Sequence, residues 1–209
     1  MPNISGFIFD LDGTLVDSGL DFDAMRREMG LPEKSSILEE IERMNAARAK
    51  RCMRILDRHE LDGARRAMPI PGAMDFIRHL DSLGLKRALV TRNSRSMAEL
   101  SLRHCALRFD LLIAREDGPA KPDPWAITKI CEVWNLDPAH LVMLGDFRFD
   151  IEAGNAAGVH TVYFTRGRRR ERLPGIEHAG YVLEAFDRPG DLLAALGLAR
   201  SRSGASISK

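Results

Sequence analysis

The sequence contains little cysteine and almost no net charge. Its three cysteines, Cys52, Cys105 and Cys131, are far apart and form no C-x-x-C or His/Cys cluster that would indicate zinc. A reducing environment suits this pattern best. A formal net charge of +1 gives no strong basic excess of the kind that nucleic acid usually selects in its partners. We therefore expect neither a zinc module nor a nucleic-acid-binding protein.

Long apolar runs are absent as well. No stretch approaches the roughly 18 to 20 apolar residues that a membrane helix needs, so we expect no membrane partner. Residues 1–9 carry no basic segment and lead directly into an acidic motif, which is unlike a signal peptide. By default, we expect a cytoplasmic protein. A length of 209 residues suits one α/β domain with a small insert.

Short apolar runs that end in polar or glycine-bearing turns alternate with helical patterns along most of the chain. This alternation predicts βα units on a parallel sheet. Because helices cover both faces of such a sheet, its strands are continuously apolar. The predicted fold class is therefore α/β, with a parallel sheet of five or more strands flanked by helices. The predicted strands are 6–10, 87–91, 111–114, 141–145 and 161–164.

A segment directly after the first strand shows helical periodicity and no strand pattern. We predict that residues 17–68 form a small helical cap over the carboxyl ends of the strands, and that 1–16 and 69–198 form the core domain. Methionines recur in this segment, and they either offer an adaptable substrate surface or are ordinary core side chains. Residues 199–209 are rich in serine with little apolar content, which predicts a frayed tail.

The most informative segment is 7–18, which reads F-I-F-D-L-D-G-T-L-V-D-S. Asp10 and Asp12 follow a predicted strand, at the sheet edge where open α/β folds bind ligands. In an extended strand both side chains point the same way, and a turn at Gly13 would present both to one cleft. An isolated D-x-D-G-T is also compatible with a turn whose carboxylates act as caps.

This segment resembles the first motif of the haloacid dehalogenase superfamily, in the branch that carries D-x-D-G-T-L-x-D. Three later segments match that family's remaining motifs in order: 89–94 (L-V-T-R-N-S), 121–124 (K-P-D-P) and 144–158 (L-G-D-F-R-F-D-I-E-A-G-N-A-A-G). Residues 71–74 (P-G-A-M) also resemble the phosphoglycolate phosphatase-like group, whose helical cap occupies the same place. The resemblance implies a Rossmann-like core, a small helical cap inserted after the first strand, and a phosphatase.

By this resemblance the reaction is hydrolysis of a phosphomonoester with Mg²⁺, in which Asp10 is the nucleophile and Asp12 the general acid and base. The metal ligands would be Asp10, the backbone carbonyl of Asp12, and Asp146. Lys121 would supply a second positive charge, although a lone lysine in such a sequence is also typical of a solvated surface. Halide displacement needs no acid at position 12, so Asp12 argues against a dehalogenase.

Four residues would bind the phosphoryl oxygens: Thr91, Arg92, Asn93 and Lys121. Thr91 and Asn93 are alternatively explained as helix N-caps. Asp150 would orient a metal-bound water or hold Lys121 in place, and its alternative is a cap of the helix that follows. The basic run 166–172 either steers an anionic substrate or forms a solvated loop.

Two other functions are compatible with the same motifs. A sugar-phosphate mutase of the superfamily also uses both aspartates, but it must exclude water, and a short cap argues against that. A non-catalytic binding or regulatory protein would retain the fold without needing the whole set of polar residues. The expected partner is a small phosphorylated metabolite, and the sequence predicts neither its identity nor an oligomeric state.

Overall fold

The structure is a computed structural model that describes residues 3–169 and 173–198. In this part of the chain the strands are β1 (Gly6–Phe9), β2 (Val16–Asp17), β3 (Met68–Pro69), β4 (Lys86–Val90), β5 (Leu111–Ile113), β6 (Leu141–Gly145), β7 (His160–Phe164) and β8 (Tyr181–Leu183). The α-helices are α1 (Phe22–Met29), α2 (Ile37–Glu42), α3 (Ala46–Arg66), α4 (Ala73–Ser82), α5 (Arg95–His104), α6 (Trp125–Trp134), α7 (Arg148–Ala157) and α8 (Gly190–Ala195). None of the helices in the described ranges is long and apolar enough to cross a membrane.

Six strands form one parallel sheet in the order β5, β4, β1, β6, β7, β8. The predicted α/β fold with at least five parallel strands is therefore confirmed, and β8 is an addition to it. From β1 the chain first builds the sheet outward through β4 and β5, and then returns to build the other side from β6. The carboxyl ends of β1 and β6 consequently flank the point where the strand order reverses, which is where open sheets of this kind bind ligands.

Alternate side chains of β1 enter two apolar clusters on opposite faces of the sheet. Phe7 and Phe9 pack with residues of α4, α5 and α8. Ile8 packs with residues of α6 and α7 on the other face. Because both faces are covered, the central strands are apolar throughout, as their sequence pattern predicts.

Helices α1 to α3 lie between β2 and β3 and form an apolar cluster of their own. Met25 and Met29 are buried in this cluster as core side chains, and Met44 and Met53 pack against it, whereas Met68 is 62% exposed. The strands β2 and β3 pair with each other antiparallel and join the two ends of the helical segment. Neither strand was predicted, because two residues carry no periodicity. The division into core and cap stays a prediction, and the predicted tail at 199–209 lies outside the described residues.

Candidate active site

The loop after β1 brings two carboxylates to the edge of the sheet. The N–H of Asp10 donates to the carbonyl of Leu144 at 3.0 Å, so Asp10 lies level with the end of β6. The predicted turn is present at Gly13, whose φ is +86°. A Cβ at this position would lie 2.7 Å from a carboxylate oxygen of Asp146, so the close approach requires glycine. Thr14 follows, and its hydroxyl donates to Asp10 Oδ2 at 3.2 Å.

Lys121 is buried, with 2% of its surface exposed, and its ammonium group contacts three oxygens. Its Nζ donates to Asp10 Oδ1 at 2.7 Å, to Asp150 Oδ1 at 2.6 Å and to the Val90 carbonyl at 2.8 Å. Burial lowers the pKa of Lys121, but the charges of Asp10 and Asp150 outweigh it and hold the pKa above its ordinary value. The interpretation of Lys121 as a surface lysine is wrong, since it is a buried cation paired with two carboxylates.

Three carboxylates, including the two that contact Lys121, lie close together. Asp10, Asp146 and Asp150 each offer an oxygen, and these oxygens lie within 4.8 Å of one another. Burial, together with the charges of Asp10 and Asp150, raises the pKa of Asp146 to about 7. Burial also raises the pKa of Asp150 to about 6, an effect that Lys121 partly offsets. The cluster thus carries more negative charge than one lysine neutralises, and its all-oxygen donors fit a hard divalent cation.

Asp12 lies outside that cluster and has its own hydrogen-bond donors. Ser18 Oγ donates to Asp12 Oδ1 at 2.5 Å, and Asn93 Nδ2 donates to Asp12 Oδ2 at 3.0 Å. Burial raises the pKa of Asp12, and the two hydrogen bonds partly offset this shift. Hydrogen bonds therefore orient both carboxylate oxygens of Asp12. Sequence reasoning missed Ser18, although it closes the first motif directly after β2.

The loop after β4 holds Thr91 and Asn93 in an arrangement that differs from a helix cap. Thr91 Oγ1 accepts the N–H of Asn93 at 3.0 Å, and Asn93 Oδ1 accepts the N–H of Ser94 at 2.8 Å. The N-cap residue of α5 is Ser94, so the interpretation of Thr91 and Asn93 as N-caps is wrong. Both side chains are buried beside the cleft, and the amide of Asn93 faces Asp12.

Arg92 lies between these two residues, and its guanidinium group contacts the helical segment. Its Nη2 donates to both carboxylate oxygens of Glu39 in α2, at 2.9 and 2.8 Å. Its Nη1 donates to the carbonyl of Lys121. The guanidinium carbon also lies 4.7 Å from the ring centroid of Phe149. Phosphate binding by Arg92 stays a prediction, because Glu39 occupies its guanidinium in this structure.

Asp150 makes both contacts that its position suggested. One oxygen accepts from Lys121, and the other accepts the N–H of Phe147 at 3.1 Å, which caps the start of α7. A Cβ at Gly145 would lie 2.2 Å from the Asp150 carboxyl carbon. The glycine that ends β6 therefore makes room for the carboxylate that holds Lys121.

The basic run at 166–172 is partly engaged with acidic side chains. Arg166 donates to Asp17 at 2.8 Å. Arg168 donates to Asp146 Oδ2 at 3.0 Å while 45% of its side chain stays exposed. The contact with Asp146 was not predicted, because nothing in the spacing of the arginines indicates it. Residues 170–172 lie outside the described ranges, and substrate steering by the run stays a prediction.

Comparisons with known proteins agree with this geometry. The chain matches the haloacid dehalogenase-like hydrolase family over residues 4–158. It is 30% identical to a haloacid dehalogenase-like hydrolase domain-containing protein of Arabidopsis thaliana, over 76% of this chain and 69% of that protein. A phosphoglycolate phosphatase of Cereibacter sphaeroides is 31% identical over 91% of this chain and 98% of its own length.

Among solved structures, a β-phosphoglucomutase of Clostridium difficile has a TM-score of 0.76 at 17% identity, covering 92% of this chain and 96% of that one. At this identity the likeness extends to the fold alone, and the same fold therefore serves both hydrolases and mutases. The family assignment rests instead on the match over most of the chain and on the relatives at 30% identity or more. The chain belongs to the haloacid dehalogenase-like hydrolase family, as an enzyme of its phosphoglycolate phosphatase-like branch of phosphatases.

Proposed function

We propose that this protein is a Mg²⁺-dependent phosphatase that hydrolyses a phosphomonoester of a small metabolite through an aspartyl phosphate on Asp10. The observation that carries the proposal is the contact of 2.7 Å between an oxygen of Asp10 and the buried ammonium of Lys121. Buried charges of this kind are costly to a fold, and they concentrate at catalytic sites. A purely structural role would not require them, which disfavours a non-catalytic protein.

The main obstacle to attack by Asp10 on phosphorus is electrostatic repulsion, which positive charges close to Asp10 reduce. A carboxylate that approaches a phosphate dianion is opposed by roughly 4 kcal/mol per pair of unit charges at 4 Å and an effective dielectric near 20. Lys121 offsets part of this repulsion from its place against Asp10. When bound by Asp10, the carbonyl of Asp12 and Asp146, Mg²⁺ would neutralise negative charge on the transferring phosphoryl group.

Asp12 is suited to move the proton in both halves of the reaction. Its raised pKa favours the protonated carboxyl group that must deliver a proton to the leaving oxygen. Once ionised, the same group can take a proton from the water that attacks the phosphorylated Asp10. The hydrogen bonds from Ser18 and Asn93 keep its oxygens oriented between these steps.

We assign the binding of the phosphoryl oxygens to Lys121 and to the loop that follows β4. Thr91 supplies a hydroxyl, Asn93 an amide, and the N-terminus of α5 adds backbone N–H groups and a favourable dipole. The hydrogen bond that Asn93 donates to Asp12 places this loop beside the acid. The substrate phosphate would thus sit between the nucleophile and the acid.

The test is a phosphate-release screen with Mg²⁺ over phosphorylated sugars, nucleotides, amino acids and glycolate, ranked by kcat/KM. Asp10→Asn should lower kcat/KM for the best substrate by at least about a thousandfold, as loss of a nucleophile does elsewhere. Asp62→Asn is the matched control, because Asp62 is an exposed aspartate of α3. A chelator should also stop turnover.

Four results would contradict the proposal, each in a different way. Normal activity of Asp10→Asn would remove Asp10 as the nucleophile. Indifference to the chelator would remove Mg²⁺ from the reaction. Accumulation of an isomerised sugar phosphate in place of free phosphate would favour a mutase, and no reaction with any compound would favour a non-catalytic protein.

A further inference from the structure

Two helices of the segment between β2 and β3 form ion pairs with loops of the parallel sheet, α2 with the loop after β4 and α3 with the loop after β5. The first pair joins Glu39 of α2 to Arg92, with both carboxylate oxygens bonded to one guanidinium nitrogen at 2.9 and 2.8 Å. Phe149, from α7, lies under the same guanidinium group. Arg92 is thereby fixed between α2 on one side and the sheet edge on the other.

The second pair joins α3 to Arg115, which follows β5 and contacts the loop after β4. Glu60 of α3 is 4% exposed and accepts from Arg115 at 2.6 and 3.2 Å. Arg115 follows β5, and its guanidinium also donates to the carbonyl of Arg92 at 3.4 Å. Its backbone N–H donates to the carbonyl of Asn93 at 3.1 Å. Glu39 therefore contacts Arg92 directly, and Glu60 is linked to the same loop through Arg115. This loop flanks the proposed phosphate site.

The contacts of Arg92 continue to the groups that would do the chemistry. Its guanidinium donates to the backbone carbonyl of Lys121, whose ammonium group holds Asp10. Its neighbour in the chain, Asn93, donates to Asp12. A displacement of Arg92 would consequently reach both the residue that pairs with the nucleophile and the residue that orients the acid.

The two ion pairs differ in accessibility. The side chains of Glu39 and Arg92 are 33% and 23% exposed, whereas those of Glu60 and Arg115 are 5% and 12% exposed. A partly solvated pair costs little to break and re-form, while a buried one costs much more. The Glu39 pair is thus the contact that can open for a substrate, and the Glu60 pair is the fixed attachment.

We propose that Glu39 and Arg92 form a latch that holds α2 over the cleft, and that Arg92 is a positioning residue that couples this closure to Lys121 and Asn93. The inference rests on the proposed phosphatase function and assigns Arg92 a role different from the phosphate binding expected from the sequence. The two roles predict opposite effects of removing Glu39. A latch loses catalysis when either partner is lost, whereas a phosphate-binding Arg92 would be freed and would bind phosphate better.

The experiment compares Glu39→Gln, Arg92→Gln, the double variant and the reversed pair Glu39→Arg with Arg92→Glu. Glu40→Gln is the matched control, because Glu40 is the next residue in α2 and pairs with Arg43 within the same segment, at 3.1 Å. Burial raises the pKa of Glu60 to about 7, so the assays are run at pH 8, where Glu60 is ionised. The measurements are kcat and KM for the best substrate, and hydrogen exchange of the amides of α2 without substrate.

Each single variant should lower kcat/KM about tenfold, the size expected for one charge-assisted contact of about 1.4 kcal/mol. The double variant should lose no more than either single variant, since both remove one interaction. The reversed pair should recover part of the activity. Exchange of the α2 amides should be faster in both single variants and unchanged in Glu40→Gln.

If the fold-losses in kcat/KM of the two single variants multiplied in the double variant, the two residues would act independently and the latch would be overturned. A lower KM in Glu39→Gln beside a higher KM in Arg92→Gln would instead assign Arg92 to phosphate. If the wild-type protein turns over no substrate, the proposed function fails, and the exchange data still decide the latch. Unchanged α2 exchange in Glu39→Gln would then sink the inference by itself.

Discussion

Replacing Lys121 with methionine tests the electrostatic reasoning behind the site. The substitution keeps an unbranched side chain of similar length but removes the charge that contacts Asp10 at 2.7 Å and Asp150 at 2.6 Å. At an effective dielectric of 20, each contact corresponds to roughly 6 kcal/mol of Coulomb energy, most of which the burial of the charges offsets. Removing one partner of a buried pair leaves the other charges uncompensated, so we expect a net loss of about 3 to 5 kcal/mol in unfolding free energy.

Urea unfolding at pH 8 with chelator present measures this loss without a contribution from metal. Lys129→Met is the matched control, because Lys129 is 49% exposed and its contact with Glu132 lies on the surface of α6. An exposed pair of this kind contributes roughly 0 to 1 kcal/mol. The two variants should therefore differ clearly in urea midpoint.

The loss should shrink as the pH falls. Burial already raises the pKa of Asp150 to about 6 with Lys121 present, and removal of the lysine raises it further. A carboxyl group whose folded pKa exceeds its unfolded value takes up a proton first in the folded state, so stability falls as the pH rises through that folded pKa. The deficit of Lys121→Met relative to the wild type should thus be smaller at pH 5 than at pH 8. A midpoint equal to that of Lys129→Met at pH 8 would refute the reasoning.

Three further substitutions test other parts of the site. In a thermal shift assay Mg²⁺ at a hundred times its Kd should stabilise the wild type by about 2.7 kcal/mol, and Asp146→Ala should lose most of this shift. Gly13→Ala should lower the unfolding free energy measured in urea by about 1 to 3 kcal/mol, because φ is +86° at this position. It should also weaken Mg²⁺ binding, because the new Cβ would meet Asp146. An unchanged urea midpoint would contradict this crowding. Ser18→Ala removes a hydrogen bond that lowers the pKa of Asp12, so the alkaline limb of the kcat/KM profile should move to higher pH; a shift to lower pH would contradict the assignment of Asp12 as the acid.

The edge of the sheet that carries the site could be predicted from local pattern. The strands β1, β4 and β6 are short apolar runs, and each is followed within a residue or two by a polar side chain: Asp10, Thr91 and Asp146. Parallel strands end at one edge, so these three residues had to lie near one another once the strands were recognised. Lys121 differs, because it follows no strand directly. Its role was predicted from the family resemblance, and the polar residues around it in the sequence do not indicate that its side chain is buried.

Several contacts could not be predicted because they join segments with no local pattern. Ser18 contacts Asp12 across the turn at Gly13, and β2, a strand of two residues, carries no periodicity that would indicate this contact. Arg168 contacts Asp146 from a loop that is rich in arginines, and nothing in their spacing indicates which arginine makes this contact. In each case the partner is chosen by tertiary structure, which the sequence does not display locally.

The helical segment shows why its contacts with the sheet edge are hard to predict from the sequence. In α2 the buried residues Ile37 and Ile41 identify the face that packs within the segment, and every polar position reads as solvent-facing. Glu39 and Glu40 are adjacent and chemically identical, yet one carboxylate binds Arg92 across the cleft and the other pairs with Arg43 at the surface. A polar face turned toward a cleft has the same composition as one turned toward bulk water. Hydrophobic periodicity therefore identifies the buried face of α2, while the contacts of its polar residues depend on the loop that lies against them.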